Sequence, residues 1–158
     1  MIEQIKEYLY VFFCSMLPII ELRGSIPIGC ALGLPWYLNY IVSVVGNFLP
    51  VPFILLFIKK ILQWMKTVPK FEKIALWVEK KAEKNTDKVT KYATFGLLVF
   101  VATPLPGTGA WTGALIAALI GMKFKYAMLS VAIGVLIAGF IMSGVSYGFL
   151  SFLSFFAN

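Results

Sequence analysis

The stretch Pro18-Ile19-Ile20-Glu21-Leu22-Arg23-Gly24-Ser25-Ile26-Pro27 sets a carboxylate and a guanidinium inside a long apolar run. No other charged residue occurs between Glu7 and Lys59. The flanks Tyr8 to Ile20 and Ser25 to Leu34 are apolar, but each is shorter than the roughly 20 residues a helix needs to cross hydrocarbon. Their lengths are near the range of about 10 to 14 residues expected of re-entrant segments. Residues 8–34 therefore read as a re-entrant helical hairpin with Pro18, Gly24 and Pro27 at its tip. Irregular backbone at membrane depth is tolerated only where protein or a watery cavity satisfies it, so the tip is expected to face inward.

Outward from this hairpin, Tyr37 to Ile58 is long and apolar enough to cross. The same order then returns. Tyr92 to Ile120 is apolar but interrupted at Pro104, Pro106, Gly107 and Gly109, and Tyr126 to Phe152 is again of spanning length. An offset of 88 residues superposes Pro18 on Pro106, Gly33 on Gly121 and Gly46 on Gly134. The chain thus divides into a first half, 1–58 (hairpin 8–34, crossing helix 37–58), and a second half, 92–158 (hairpin 92–121, crossing helix 126–152). A hairpin returns the chain to the face it left and a crossing helix changes faces, so the second half starts on the opposite side. The expectation is an all-α membrane protein built as an inverted repeat, the plan of many secondary transporters.

Residues 59–91 join the halves and carry ten lysines against Glu72, Glu79, Glu83 and Asp87. Phe71, Ile74, Ala75, Val78, Ala82 and Val89 recur at helical spacing, and Pro69 suits a first turn, which predicts a basic amphipathic helix. The lysine excess, with Lys123 and Lys125 returning to the same side, places this linker in the cytoplasm and both termini outside a bacterial or archaeal cell membrane. Anionic lipids are its expected partners, although a connector that only sets topology has the same composition.

Composition excludes several classes. The chain is 60% hydrophobic and 13% charged, where soluble domains are about half apolar and a quarter charged. Its mean hydropathy is +0.88. The net charge of +7 comes from 13 lysines and one arginine, mostly in the linker, so nucleic acid is not an expected partner. There is no histidine, and Cys14 and Cys30 lie in apolar sequence away from metal-ligand spacing, so neither a metal nor any other cofactor is expected. The N-terminal MIEQIKEYLY lacks the features of a cleaved signal and is expected to be retained.

Charge at membrane depth is unfavourable by at least about 2.5 to 3.5 kcal/mol per residue, which makes Glu21 and Arg23 the leading functional candidates. Glu21 would bind and release a proton and Arg23 would engage an anion; alternatively the two form a salt bridge that pins the tip. Asn47 precedes Pro50 and Pro52 in the first crossing helix and either faces the pathway or packs helices together. The segment from Thr103 to Gly113 lacks the Gly-Lys-Ser/Thr ending of a phosphate loop, which argues against ATP. Its prolines and glycines suit a sharp tip opening a half-helix, with Thr103, Thr108 and Thr112 as polar contacts. Gly134, Gly139, Ser143, Gly144 and Gly148 form a small-residue face suited to helix packing.

The segments Pro18 to Pro27 and Pro104 to Gly113, with Gly46-Asn47 between them, resemble the motifs of the small multidrug export proteins, a family that looks related to the DedA superfamily. That resemblance implies paired re-entrant hairpins and transport of a lipid phosphate such as undecaprenyl phosphate, with Glu21, Arg23, Asn47 and the tip Pro106 to Gly109 as site residues. DedA proteins typically carry an arginine in the second hairpin, and here that hairpin has no charged residue. Arg23 would then act alone or with helix N-termini.

The leading expectation is a proton-coupled transporter that flips a lipid phosphate. Efflux of small hydrophobic cations is the transporter alternative, and a non-transporting membrane scaffold or assembly factor is the second class. An enzyme is not expected, since no histidine or activated serine presents itself. Two crossing helices and two hairpins make little wall around a cavity, so a homodimer or larger homo-oligomer is expected.

Overall fold

Proline and glycine divide the apolar sequence into helices, and every described element is helical. The computed structural model describes residues 2–67, 73, 76, 87–105 and 107–156. The helices are α1 (Ile2–Met16), α2 (Glu21–Ala31), α3 (Trp36–Phe48), α4 (Pro50–Lys66), α5 (Asp87–Ala102), α6 (Ala110–Leu119) and α7 (Phe124–Phe156). Most of the linker expected to be amphipathic, including Pro69 and its apolar positions, lies outside the described residues, as does Pro106.

Each half has the order helix, break, short helix, tight turn, helix, and the local devices match at the same offset. Gly33 and Gly121 both hold positive φ, 75° and 71°, the left-handed conformation that a glycine adopts without a Cβ clash. Around them the bonding repeats: Leu34 donates to Gly29 and Met122 to Ala117, while Gly33 donates to Cys30 and Gly121 to Ala118. Gly46 lies against Phe12 and Ser15 of α1, and Gly134 against Leu98 and Val101 of α5, where a Cβ would collide with the neighbouring helix. Within each half the outer helices therefore run side by side in the same direction. Between halves, α3 and α7 run oppositely: Asn39 bonds Tyr147, and Tyr40 and Val44 pack on Gly139.

The core lies around the two short helices. Leu22 and Ile26 of α2 and Ala110, Ala114, Ala117 and Ala118 of α6 are buried against Val51, Leu55, Val101, Val131 and Val135. Alanine on α6 lets its neighbours approach closely. Trp36–Ile58 and Phe124–Gly148 are long and apolar enough to cross a membrane, yet only 33% and 39% of their apolar windows are buried. Phe53, Phe57, Phe95 and Phe140 are each about two-thirds exposed. An exterior of this kind suits lipid.

Several expected boundaries are corrected. Pro27 and Gly24 lie inside α2, not at the break between α1 and α2, which is residues 17–20. A proline inside a helix forfeits a single main-chain bond, here to the Arg23 carbonyl, and the packed helix continues through it. The first crossing segment spans Trp36–Ile58 as expected, but its helix is divided into α3 and α4 at Leu49, whose backbone stays helical and whose N–H bonds Val45 O, and α4 continues past Ile58 to Lys66. Pro50 and Pro52 lack the N–H groups that would tie them to Gly46 and Phe48. α1 and α5 begin at Ile2 and Asp87, earlier than Tyr8 and Tyr92, because the polar turns that precede the apolar runs also join the helices. Cys14 and Cys30 are buried free thiols.

Candidate functional site

A helix end leaves unsatisfied main-chain groups, carbonyls at the C-terminus and N–H groups at the N-terminus. The second half breaks between α5 and α6, so it presents both kinds within a few residues. The ion pair of the first half closes that break. Arg23 Nη1 donates to Glu21 Oε2 at 2.7 Å. Arg23 Nη2 donates to the carbonyls of Thr103 at 2.8 Å and Val101 at 3.2 Å, and to Thr108 Oγ1 at 3.0 Å. Glu21 Oε1 accepts the backbone N–H of Trp111 in the first turn of α6 at 3.2 Å. The cation thus meets the negative end of α5 and the anion the positive end of α6, the favourable arrangement at both ends.

Local geometry is bent to this purpose. Glu21 has φ of 49°, the one positive φ outside glycine among the described residues. That conformation is unfavourable by about 1–2 kcal/mol for an L-residue and is held here by the contacts of the side chain. Opposite it, Gly109 precedes α6 with an ordinary extended backbone, and a Cβ there would fall on the Glu21 carboxylate. Glycine at 109 is required by close approach. The single proton of Thr108 Oγ1 is shared within the loop between Thr103 O at 2.7 Å and Leu105 O at 2.9 Å, and Thr103 Oγ1 donates to Val99 O at 2.7 Å.

The pair is mostly covered, with side-chain exposures of 13% for Arg23 and 6% for Glu21. It borders a groove of about 380 Å³ lined by Pro18, Ile19, Glu21, Arg23, Pro104 and Thr112, with Gly24, Gly107 and Met142 nearby. Ile19 stands almost wholly exposed beside it. Glu21, Arg23, Thr103, Thr108, Thr112, Pro104, Gly107 and Gly109 are thereby brought together. Asn47 is not among the residues lining this groove. It is fully buried on α3, and neither amide atom has a partner among the described residues.

Two features were missed in the sequence. Trp111 anchors both sides, since its backbone N–H holds Glu21 and its indole N–H donates to Met16 O at 3.0 Å. Asn39 and Tyr147 form a second buried polar cluster: Asn39 Nδ2 donates to Ile26 O at 2.8 Å and to Tyr147 Oη at 3.0 Å, and Tyr147 donates to Leu34 O at 2.7 Å. Gly29 makes room for the Asn39 amide. The available signal was an uncharged amide in an apolar run eight residues before Asn47.

No curated protein and no solved structure matches the chain. The sequence model of one family, described as "Putative small multi-drug export protein", matches residues 21–141, a span that opens on Glu21 and includes the break of the second half and the turns of both halves. With its two spanning apolar helices and lipid-suited exterior, the chain is a membrane protein and belongs to this family.

Proposed function

We propose that the chain exports small hydrophobic cations, with Glu21 as the carboxylate that exchanges a proton for the substrate. The observation that carries this reading is the commitment of Arg23. Its two terminal nitrogens reach four oxygens, and the buried Nε is the one guanidinium nitrogen without a partner among the described residues. A lipid phosphate arriving in the groove meets a guanidinium already serving four oxygens, with the buried Nε–H and one Nη1–H left over, so flipping of a lipid phosphate draws less support from this site. A cation meets instead a carboxylate whose positive partner is already shared with neutral carbonyls. The family description points the same way.

In this reading the two halves are an inverted repeat of re-entrant hairpins, as the opposite directions of α3 and α7 and the matched turns at Gly33 and Gly121 suggest. The lysine-rich linker faces the cytoplasm, both termini lie outside, and a second copy completes the wall around the groove. Opening moves the Glu21 tip out of the break between α5 and α6.

Everted vesicles containing the protein, loaded with a fluorescent cation under an imposed pH gradient, test the proposal. Glu21→Gln keeps an acceptor for the Trp111 N–H but cannot titrate, and is expected to abolish gradient-driven transport while leaving the protein folded. A specific observation favours a second reading, a scaffold: the ion pair closes two helix ends and so has a structural task whether or not anything moves. Transport by the parent protein no greater than by vesicles without it would sink the exporter and leave the scaffold, while parent-level transport by Glu21→Gln would remove Glu21 from the proton exchange.

A further inference from the structure

On the outer face of α4 and α6 lies a second, separate groove, of about 410 Å³, lined by Phe53, Ile54, Leu56, Phe57, Trp111 and Lys60. Lys60 is its one charged residue. The apolar span ends at Ile58, so this ammonium stands two residues beyond the hydrocarbon-compatible sequence, at headgroup depth. From Lys60 back to Phe53 the helix makes about two turns, roughly 10 Å, directed into the membrane. Trp111, in the first turn of α6, also lines the groove, and its ring is fixed because the indole N–H is bonded to Met16 O.

We infer that this groove is a binding site for an anionic phospholipid, with the phosphate on Lys60 and one acyl chain along Phe57, Phe53 and Trp111. Charge complementarity selects the occupant. A zwitterionic lipid fills the apolar part equally well but brings its own cation to Lys60, whereas an anionic headgroup brings an unpaired phosphate. One lysine near an anionic surface favours such a lipid by about fivefold. The acyl chain would rest on the residue whose backbone N–H holds Glu21, so occupancy of the groove bears on the ion-pair site from the outside. The inference needs the protein to be embedded in a membrane and does not depend on what it exports.

The test uses full-length protein with Trp36, Trp64 and Trp77 replaced by phenylalanine, leaving Trp111 as the reporter, in phosphatidylcholine vesicles. Phosphatidylglycerol or phosphatidylcholine brominated along the acyl chains is added at equal mole fraction, and quenching of Trp111 is measured. Brominated phosphatidylglycerol is expected to compete for the groove about fivefold more effectively. Lys60→Gln is expected to remove that preference, and Lys60→Arg and the distant Lys125→Gln to keep it. Lys60→Arg conserves charge and length, so it keeps the proposal testable if Lys60→Gln fails to fold. Equal quenching by the two lipids, a preference that survives in Lys60→Gln or is lost in Lys60→Arg, or no quenching by either because another chain covers the groove, would each overturn the assignment.

Discussion

The two halves share their backbone devices but not their chemistry. Positions 88 apart in sequence carry Glu21 against Gly109, Arg23 against Trp111, Gly29 against Ala117, Asn39 against Ala127 and Asn47 against Val135. The glycines at the turns and helix contacts are common to both: Gly33 with Gly121 and Gly46 with Gly134. The first half supplies charge and amides, and the second supplies small or apolar residues in the same places. One scaffold thus serves two tasks. The apolar half leaves helix ends open, and the polar half brings the groups that fill them.

The strongest way to break this division is to remove the cation. Arg23→Met leaves Glu21 buried without its partner and the α5 carbonyls open, and is expected to destabilise the protein by about 3–5 kcal/mol in detergent unfolding. Adding Glu21→Gln should recover part of that loss, since the uncompensated charge is gone. Additive losses would mean that the two side chains act independently.

Next in size is the polar cluster under the first turn. Gly29→Ala drives a methyl into the Asn39 amide and should be destabilising by about 2 kcal/mol. The second half already shows the apolar solution, Ala117 with Ala127, both fully buried. Gly29→Ala combined with Asn39→Ala is therefore expected to melt above Gly29→Ala alone; a lower melting temperature for the pair would show that the halves are not interchangeable there.

Asn47 sharpens the comparison because its buried amide has no partner in the described residues while its counterpart is Val135. Asn47→Val should stabilise the fold by about 1 kcal/mol, the low end of the penalty for an unsatisfied buried polar group. A gain in melting temperature accompanied by lost transport would assign Asn47 to the pathway. The smallest expected effect is a match: Gly33→Ala and Gly121→Ala should each be destabilising by about 1–2 kcal/mol, because both residues sit at φ near 70°. Clearly unequal losses in unfolding experiments would deny the local equivalence of the turns.

Much of this was legible beforehand, and for identifiable reasons. Charge in an apolar run is conspicuous, so Glu21 and Arg23 were found directly, and the offset that aligned Gly33 with Gly121 led to turns that do bond alike. The partners of Arg23 were not legible. They are mainly carbonyls, which every residue carries, and they lie 78 and 80 residues away, at the end of α5 and just beyond it, in a stretch without charge. Pro27 was misplaced because a lone proline reads as a breaker although a packed helix absorbs it. The division at Leu49 was foreshadowed by Pro50 and Pro52, but not the continuation of α4 to Lys66, where lysines follow an apolar helix without a stop signal. Trp111 carried no sign of its role, since its backbone N–H does the holding.

The contact between Arg23 and the end of α5 also has a timetable. The ribosome makes Arg23 78 to 85 residues before its partners Val101, Thr103 and Thr108 exist. At ordinary elongation rates that interval is roughly 4–17 s. Through it the first half must wait with a guanidinium at the start of α2 that has only the neighbouring carboxylate for company, at the membrane or in the insertion machinery. Nascent chains stalled before Val101 should accordingly be held or degraded, and those stalled well beyond Trp111 should settle.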